Sequence, residues 1–464
     1  MTTMQHVRAM VGSGDTDPVT PSVSFAQADL ETIAQHMFAL MLRNITSDGF
    51  VLNDPNSREP SKPGCVIAAP SYPRNTPGVD QDYVFNWVRD AAITAMEVAA
   101  AKAPAGSVGD VQTLIDYVNF AQLCQQNARP TLAHACFTVG GNPRDWTEQT
   151  DGPALQTVAI LSAYDQVDAP TKAVASAVIG KNLAFLLANY QNPTFNLWEE
   201  HEGLSFFARS AQLRCFRAIA ANTFGIPVPP GVNDAIAWLQ NALDDHWNGS
   251  YYVTMLAPPS PGNANKPLLP ASAGYDPNID IVCASLYGAV PCTDTRLLAT
   301  AARLRSQWAD SGSPSLYPIN TADHARGLGP MFGRYPGDVY DGDMNAPVLG
   351  GHPWALCTCN VAELYYRLAN SVDQSKRVPF DDLSRGFFAQ VGVNDGSNPA
   401  AAAAALRDAG DAMLRAVIFH SDHLELSEQF DGTSGYEKSV TNLTWSYASF
   451  LSAVRARTGQ NVEG

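Results

Sequence analysis

Apolar side chains recur every three to four residues along most of the chain, a spacing that places them on one face of an α-helix. Gly and Pro, with 34 and 32 residues, are concentrated between these stretches, where they interrupt helices. No alternating pattern typical of β-strands separates them. The periodicity predicts twelve helices: Ala26–Asn44, Ala91–Ala103, Val111–Asn127, Pro153–Gln166, Thr171–Tyr190, Ser205–Asn222, Val232–Trp247, Thr293–Asp310, Ala355–Ser371, Leu383–Gln390, Ala403–His420 and Asn442–Arg457.

Twelve helices with no linker-like tract between them predict an all-α protein with a single domain over residues 1–464. A large toroid of paired helices fits this pattern, with a helix bundle or a solenoid as alternatives. No sequence repeat of fixed period is present, which argues against an ordinary solenoid. Residues 1–24 lack the periodicity and are expected to form an irregular N-terminal segment.

Composition narrows the choice of partners. Hydrophobic residues make up 45% of the chain and charged residues 16%, and the formal net charge is −16. Such an acidic surface is repelled by nucleic acid and by anionic membranes, so a neutral or cationic substrate is expected. No apolar run approaches the roughly 20 residues of a membrane span, and no signal peptide is visible. A cytoplasmic monomer is the expectation.

The cysteines and histidines do not predict a metal site. The eight cysteines are scattered through apolar helical segments, which suits buried thiols better than a disulfide framework. His352, Cys357 and Cys359 lie close together in sequence, but their spacing matches no zinc pattern. Neither a metal nor another cofactor is expected.

Five stretches at helix ends share an unusual composition. Each combines Trp or Tyr with a carboxylate, and two also contain Arg; they read YVFNWVRDAA, DWTEQTDGPAL, NLWEEHEGLSFF, FGRYPGDVYDG with GGHPWAL, and LSEQFDGTSGYEKSVTNLTWSY. Aromatic rings pack on the apolar faces of sugars, while carboxylates and guanidinium groups bind their hydroxyls. An apolar pocket with a few convergent polar groups is the general form of a small-molecule site. The composition therefore favours a carbohydrate pocket.

The Glu199–Glu200 pair beside Trp198 suggests catalysis. Cleavage of a glycosidic bond requires one protonated and one ionised carboxyl group, and a neighbouring carboxylate and an apolar wall both raise a pKa. Taken alone, a Glu-Glu pair is usually a solvated helix start, and a pair such as Arg89–Asp90 is usually a structural ion pair. The recurrence of the same chemistry in five loops favours a functional site.

Seven short motifs drawn from these five stretches match a known family in order and spacing. WVRD, DGPAL, NLWEE, GRYPGDVY, HPWALCT, SEQFD and NLTWSYA resemble the ordered motifs of glycoside hydrolase family 15, the family of the glucoamylases, and span Tyr83 to Tyr447. The resemblance implies an (α/α)6 barrel with a pocket where the inner helices begin. It also implies hydrolysis of terminal α-1,4-linked glucose from non-reducing ends with inversion to β-glucose.

The resemblance also assigns roles to residues. Glu199 matches the general acid and Glu428 the general base, and an inverting mechanism predicts carboxyl groups about 6.5–9.5 Å apart. Glu200 matches a carboxylate that binds substrate and helps to hold the proton of the acid. The other expected substrate-binding residues are Tyr83, Trp87, Arg89, Asp90, Trp146, Trp198, Arg334, Asp338, Tyr340, Trp354 and Trp445.

Several positions depart from the family pattern. The segment from Trp146 to Asp151 is one residue shorter and has no Arg between these two residues, the loop Asp341–His352 is longer, and Phe430 replaces a Tyr. No starch-binding domain is expected after the last helix, which favours soluble maltodextrin over granular starch.

Other functions remain open at this stage. The altered loops allow a related hydrolase of isomaltose, dextran or trehalose. A non-catalytic α-glucan binding protein is a second alternative, although such a protein would need neither Glu199 nor Glu428. An all-helical phosphorylase or lyase is a third alternative; a phosphorylase requires a basic phosphate pocket, for which Arg334 alone is thin support.

Overall fold

The computed structural model describes residues 27–47, 51–52, 59–70, 82–101, 109–258, 274–343 and 350–459. The expected irregular segment 1–24 lies outside them. The described residues form fourteen helices: α1 (Gln27–Leu42), α2 (Val88–Ala100), α3 (Gly109–Asn127), α4 (Asp151–Ala163), α5 (Ala169–Asn189), α6 (Phe206–Ala221), α7 (Val232–Asp244), α8 (Asp280–Leu286), α9 (Thr295–Ala309), α10 (Pro318–His324), α11 (Ala355–Ser375), α12 (Arg385–Ala389), α13 (Pro399–His420) and α14 (Thr444–Arg457).

Every predicted helix is present, with shifted ends. Helix α2 begins at Val88 rather than Ala91, and α11 continues to Ser375 rather than ending at Ser371. The helices α8 and α10 were not predicted. Each has only seven residues, which is too short for a helical period to be recognised in the sequence.

Short antiparallel strands also occur, contrary to the expectation of a strand-free chain. Strands β1 and β2 pair with each other, β3, β4 and β5 form a three-stranded sheet, and β6 pairs with β7. Six of the seven strands have only two residues, so an alternating pattern cannot develop in the sequence. Their bounds are β1 Asn86–Trp87, β2 Cys136–Phe137, β3 Thr194–Phe195, β4 Glu202–Ser205, β5 Met255–Leu256, β6 Gln429–Phe430 and β7 Glu437–Lys438.

Six helices form a closed inner ring. Helices α2, α4, α6, α8, α11 and α14 each contact the next in this order, and α14 returns to contact α2. Among the outer helices, α3 contacts α5, α7 contacts α6, α13 contacts α11, and α1 contacts α14. The inner helices are buried on nearly all sides; in α8 every residue is buried. The predicted (α/α)6 barrel is confirmed.

The amino ends of the inner helices share one pole of the barrel, because each outer helix returns the chain to that pole. The outer helices α5, α9 and α13 begin at side-chain caps from Asp168, Asp294 and Asn398. Among the inner helices, only α6 has such a cap, from Ser205. The other inner helices present N–H groups and the positive ends of their dipoles to this pole. Anionic side chains and polar ligands are therefore favoured there.

Helix α5 is the one helix among the described residues whose length and hydropathy would allow it to cross a membrane. The core helices of soluble proteins meet the same criterion. Here α5 packs against α3 and α4 through one face, with Val178, Ile179 and Leu183 buried.

Candidate active site

Trp87 and Tyr83 lie where the chain enters helix α2. The pairing of β1 with β2 fixes this entrance, with Trp87 opposite Cys136. The Trp87 indole N–H donates to Oε1 of Glu199 over 2.8 Å. The Tyr83 hydroxyl donates to Oε1 of Glu428 over 2.8 Å. Because the two rings lie 5.8 Å apart, neighbouring aromatic residues hold the two predicted catalytic carboxyl groups.

Glu199 lies in a tight loop with left-handed backbone geometry. Its φ is 64°, which is uncommon for a residue with a side chain and is found preferentially at functional sites. The side-chain oxygen of Asn196 accepts the N–H groups of Glu200 and His201, which fixes this loop. The indole N–H of Trp146 donates to Oε2 of Glu199 over 2.7 Å. Both oxygens of Glu199 therefore accept from indoles.

Trp146 differs from Trp87 in its exposure. Its side chain is 49% exposed, whereas Trp87 is buried. The guanidinium group of Arg144 stacks over the Trp146 ring at 4.4 Å and over the Phe85 ring at 4.1 Å. No Arg lies between Trp146 and Asp151. Arg144, two residues before Trp146 in the sequence, instead packs against the Trp146 ring. The mouth of the site is therefore built differently from the family pattern.

Glu428 is buried, with 3% of its surface exposed. Its Oε2 accepts from the hydroxyls of Ser439 at 2.5 Å and Tyr340 at 3.2 Å. Burial raises the pKa of Glu428 above its usual value, while the hydrogen bonds from Ser439 and Tyr83 oppose this shift. Three hydroxyl donors and nearby cationic charge thus keep an ionised carboxylate accessible in an apolar site.

Arg334 connects two of the predicted binding carboxylates. It donates to both oxygens of Asp338, from Nε over 2.8 Å and from Nη2 over 2.7 Å. Its Nη2 also lies 2.9 Å from Oε1 of Glu200. Both oxygens of Glu200 accept from the Tyr335 hydroxyl at 3.0 Å. Glu200 is thus fixed by Arg334 and Tyr335, and no contact recorded for the described residues joins it to Glu199.

Aromatic rings enclose the Arg334 guanidinium group. The rings of Trp198, Tyr335, Tyr340 and Trp354 have centroids 5.1–5.5 Å from it. Burial lowers the pKa of Arg334, but the charges of Asp338 and Glu200 outweigh this effect and raise it. Arg334 therefore carries a permanent positive charge in a cage of aromatic surface.

The Arg89–Asp90 pair is buried beside the entrance of α2. Arg89 donates to Gln149 over 2.9 Å and to Asp151 over 3.3 Å, and its guanidinium group lies 5.2 Å from the Trp445 ring. Arg89 Nε and Asp90 Oδ2 form an ion pair with each other at 3.5 Å, and both are buried without a hydrogen-bond partner. Unsatisfied buried polar atoms are rare in native proteins. Each of these two atoms therefore retains unused hydrogen-bonding capacity.

Burial also changes the acidity of Asp90. It raises the pKa of Asp90 to about 6, against the opposing effect of Arg89 and with a further increase from the charge of Glu199. This electrostatic coupling places Arg89, Asp90 and Glu199 in one neighbourhood.

The remaining tryptophans form a connected wall. Trp198 stacks on Trp445 with centroids 6.4 Å apart and tilts against Trp354 at 5.7 Å. Trp198 donates to Asn278 over 2.9 Å and Trp445 to Tyr287 over 3.3 Å. The Trp354 indole N–H is buried without a partner. The structure thus brings all fourteen predicted site residues to one pole of the barrel.

Sequence reasoning missed several residues of this site. Ser439, Tyr335 and Asn278 each fix a predicted residue, as described above. Ser439 also has left-handed backbone geometry, with a φ of 64°. Asn278 belongs to none of the quoted motifs. Tyr335 lies within GRYPGDVY and Ser439 within LSEQFDGTSGYEKSVTNLTWSY, and both could have been considered there.

The loop Asp341–His352 is only partly described, because residues 344–349 lie outside the described part of the structure. Asp341 contacts Lys438 at 3.1 Å and His352 at 3.1 Å. The other ring nitrogen of His352 accepts the N–H of Gly432 over 3.2 Å. Both ring nitrogens of His352 are therefore engaged within the protein. Phe430, the residue that replaces a family Tyr, is fully buried.

This arrangement has a defined chemical capacity. Two carboxyl groups lie in different surroundings: Glu199 is half-buried between indoles, and Glu428 is buried beneath three hydroxyl donors. Aromatic surface and ionic groups that can bind hydroxyls adjoin both. A helical barrel with this group of side chains at one pole defines the class of the all-α glycosidases.

Comparison with known proteins identifies the family. The family model for glycosyl hydrolases family 15 matches residues 38–455. The chain belongs to this family and is a glycosidase, as the sequence motifs predicted.

The relatives are fungal proteins of moderate similarity. A glucoamylase of Blastobotrys adeninivorans is 27% identical over 443 residues, covering 85% of this chain and 67% of the relative. A probable glucoamylase of Schizosaccharomyces pombe is 26% identical over 441 residues, covering 90% of this chain and 88% of the relative. An intracellular sporulation-specific glucoamylase of Saccharomyces cerevisiae is 27% identical over 467 residues, covering 87% and 80%.

Solved structures support the same fold. The glucoamylase of Saccharomycopsis fibuligera superposes with a TM-score of 0.76 at 21% identity, covering 95% of this chain and 99% of that one. The family 15 glucoamylase of Hypocrea jecorina gives a TM-score of 0.75 at 22% identity, covering 94% and 73%.

Proposed function

We propose that this glycosidase is an exo-acting, inverting glucosidase that releases β-glucose from the non-reducing ends of α-1,4-linked glucans. One observation carries the proposal: Trp87 and Tyr83, whose rings are 5.8 Å apart, hold Glu199 and Glu428 respectively. Two carboxyl groups in unlike surroundings beside one aromatic wall meet the requirement for acid and base in one pocket. The names of the relatives support the substrate class.

In the proposed reaction, Glu199 is the general acid and Glu428 the general base. Glu428 removes a proton from a water molecule as the water oxygen bonds to the anomeric carbon. The bond from that carbon to the glycosidic oxygen breaks, and the proton of Glu199 passes to this oxygen. The two transfers leave Glu199 ionised and Glu428 protonated, and the configuration at the anomeric carbon is inverted.

The other predicted residues would bind the terminal glucose. Arg89 Nε, Asp90 Oδ2 and Trp354 Nε1, which are buried without a hydrogen bond, would offer donors and an acceptor to its hydroxyls. Trp198 and Trp445 supply apolar surface for the ring faces. Glu200 and Asp338 keep Arg334 oriented. Glu200 would act on the substrate through this ionic group.

The altered mouth supports a second candidate, a hydrolase of a related α-linkage such as that of isomaltose, dextran or trehalose. Trp146 bonds to Glu199 while remaining half exposed, so the leaving sugar must pass this ring. A different sugar orientation in this region would change the preferred linkage without altering the acid and base.

The S. cerevisiae relative is described as intracellular, and all eight cysteines are free. These observations support a cytoplasmic location. We further propose that the enzyme acts as a monomer on soluble maltodextrin. Cell fractionation and sedimentation of the purified protein test the location and the oligomeric state.

The decisive experiment is incubation with maltotetraose while the anomer of released glucose is followed by NMR. Wild-type protein should release β-glucose, and Glu199→Gln and Glu428→Gln should each reduce the rate by at least 1,000-fold. Glu202→Gln serves as the matched control, because Glu202 is an exposed neighbour of the same loop.

Each other outcome has a definite meaning. Release of α-glucose would contradict the inverting mechanism and the roles proposed for Glu199 and Glu428. Release only from isomaltose or trehalose supports the second candidate. Maltotetraose binding without hydrolysis of any of these substrates would point to a glucan-binding protein and contradict the enzymatic proposal.

A further inference from the structure

A cavity lies at the pole of the barrel opposite the candidate active site. Its volume is about 1030 Å³, and its lining includes Ala99 of α2, Leu161 of α4, Ala218 of α6 and Leu286 of α8. These residues lie near the carboxyl ends of the inner helices. Along α2, the ten residues from Arg89 to Ala99 correspond to about 15 Å. We call this space the far-pole cavity, and it is separate from the glycosidase site.

Four arginines line the far-pole cavity: Arg214, Arg217, Arg367 and Arg455. Arg367 pairs with Glu363 at 2.5 Å, and Arg455 contacts Glu97. Four guanidinium groups against these two carboxylates leave an excess of positive charge. The excess stands out because the chain as a whole has a net charge of −16.

Two of these arginines lack an acidic partner. Arg214 is buried and donates only to the backbone oxygens of Leu286 and Tyr287, at 3.4 and 3.2 Å. Arg217 is exposed, and no ion pair in the described part of the chain includes either residue. Burial, together with the charges of Arg367 and Arg455, lowers the pKa of Arg214 to about 10, while the charge of Glu363 opposes this shift.

Part of this charge has a structural explanation. Carboxyl ends of helices carry partial negative charge, which favours nearby arginines. The Arg367–Glu363 pair also lies within α11 as an i, i+4 pair, and the Arg455–Glu97 pair joins α14 to α2. However, neither effect gives Arg214 an acceptor beyond two backbone oxygens, and an uncompensated buried charge is costly.

An independent observation points to a ligand. The hydroxyl group of Ser285, a residue only 6% exposed, is buried without a hydrogen-bond partner. Ser285 lines the same cavity. A buried hydroxyl group normally has a hydrogen-bond partner. Its position beside unpaired guanidinium groups completes the elements of an anion site.

The rest of the lining indicates the shape of the ligand. Met96, Val158, Leu161, Phe224 and Val290 contribute apolar surface. The cavity has the size of a small-molecule site, which typically spans about 300–1,000 Å³. A bare inorganic anion would leave this surface uncovered, whereas an anion with an apolar body would cover it.

We propose that the far-pole cavity binds an organic phosphate monoester, with Arg214, Arg217 and Ser285 holding the phosphate and the apolar wall holding the organic group. The planar guanidinium group offers paired N–H donors that match phosphate oxygens, and charge-assisted hydrogen bonds of this type are strong. This binding goes beyond the proposed hydrolysis and does not depend on it. The cavity lies too far from Glu199 for its arginines to serve phosphorolysis there.

Phenyl phosphate tests the proposal, because it has the required chemistry and contains no sugar for the glycosidase site. Isothermal titration calorimetry of the full chain should show one site per molecule. Inorganic phosphate, benzoate and phenol should each bind at least tenfold more weakly. Arg217→Gln and Arg214→Gln should each weaken phenyl phosphate binding at least tenfold.

Arg385→Gln is the matched control, since Arg385 is a surface arginine paired with Asp382 away from the cavity. It should bind phenyl phosphate as wild type does. The exposed Arg217 keeps the test valid if replacement of the buried Arg214 prevents folding, and circular dichroism reports folding of each variant. Absence of binding, binding unchanged in Arg217→Gln, or equal affinity for benzoate would overturn the assignment.

Discussion

Glu428 depends on three hydroxyl groups that reach it from three separate parts of the chain. Ser439, Tyr83 and Tyr340 all donate to its carboxylate. Hydrogen bonds to the charged form of a carboxyl group lower its pKa, whereas burial raises it. The net shift is upward, so the loss of one donor should move the pKa of Glu428 further upward.

Ser439→Ala should therefore shift the acidic limb of the pH profile of kcat/KM to higher pH. A base with a higher pKa remains protonated, and hence inactive, over more of the acidic range. The loss of one charge-assisted hydrogen bond of about 1.5–3 kcal/mol corresponds to a shift of about 1–2 pH units. The profile is measured on maltose between pH 3 and 8.

Ser434→Ala is the control for this prediction, because Ser434 donates to Asp431 on an exposed turn and does not contact Glu428. Its acidic limb should match that of wild type. If Ser439→Ala lowers kcat/KM but leaves the acidic limb at its wild-type pH, Ser439 does not control the pKa of Glu428.

The sequence identifies residues of this site only where they belong to motifs. Glu199 and Glu428 lie in NLWEE and SEQFD, and aromatic or charged neighbours mark both. Ser439 and Asn278 are common polar residues whose roles arise from tertiary contacts, so no local pattern distinguishes them. The pairing of Glu200 with Tyr335 could not be predicted for the same reason.

At the scale of elements, long helices are predictable and short ones are not. Helices α5 and α11 each have 21 residues, enough for a repeated apolar face. Helix α8 has seven residues, all buried, so no polar face reveals its period. Its position follows from its contacts with α6 and α11, its neighbours in the inner ring. The two-residue strands likewise depend on tertiary pairing.

The contact between α11 and α13 makes a specific prediction. A Cβ on Gly410 of α13 would lie 2.7 Å from Cε1 of Tyr366 in α11, whose side chain is fully buried. Gly410→Ala should lower the free energy of unfolding by about 1–3 kcal/mol, because overpacking forces neighbouring groups apart. Urea unfolding followed by circular dichroism measures the change.

Gly180→Ala on helix α5 is the matched control. A Cβ there would meet no atom within 4 Å. It should raise the free energy of unfolding by about 0.5–1 kcal/mol, because Ala loses less conformational freedom in a helix than Gly. Equal effects of the two substitutions would contradict the close packing of α13 on Tyr366.

At the scale of the whole molecule, buried ionisable groups on several elements combine into one pH dependence of stability. Burial raises the pKa of Asp280 to about 8 and that of Asp276 to about 7. Burial and Arg209 lower the pKa of His246 to about 3. The acids retain protons in the folded state that the unfolded state has lost, whereas His246 gains a proton on unfolding below pH 6.5.

Stability should consequently fall between pH 6.5 and 8. In this window the unfolded state has released the protons of Asp280 and Asp276. The folded state holds the proton of Asp276 up to about pH 7 and that of Asp280 up to about pH 8, so rising pH favours unfolding. His246 opposes this trend only below pH 6.5. The contribution of Asp280 over the window is up to about 2 kcal/mol. Urea midpoints at pH 6.5 and 8 measure the fall.

Asp280→Asn should reduce the loss of stability between pH 6.5 and 8, because a neutral amide replaces the protonated acid. Its Oδ2 accepts the hydroxyl of Thr254, and the amide oxygen can take over this role. Asp382→Asn, at a side chain that is 95% exposed, should leave the fall unchanged. A wild-type pH dependence in Asp280→Asn would show that Asp280 is ionised in the folded protein.

Closure of the inner ring has a consequence for the timing of synthesis. Helix α14 packs against α1 and α2, and Tyr83 meets Glu428 across 345 positions of sequence. At a translation rate of about 5–20 residues per second, the roughly 230 residues from Glu199 to Glu428 take about 10–50 s to make. Throughout that interval the ribosome carries a chain with the proposed acid but without its base. Hydrolysis can begin only when the last helix has emerged and joined the first two, so the activity belongs to the finished chain alone.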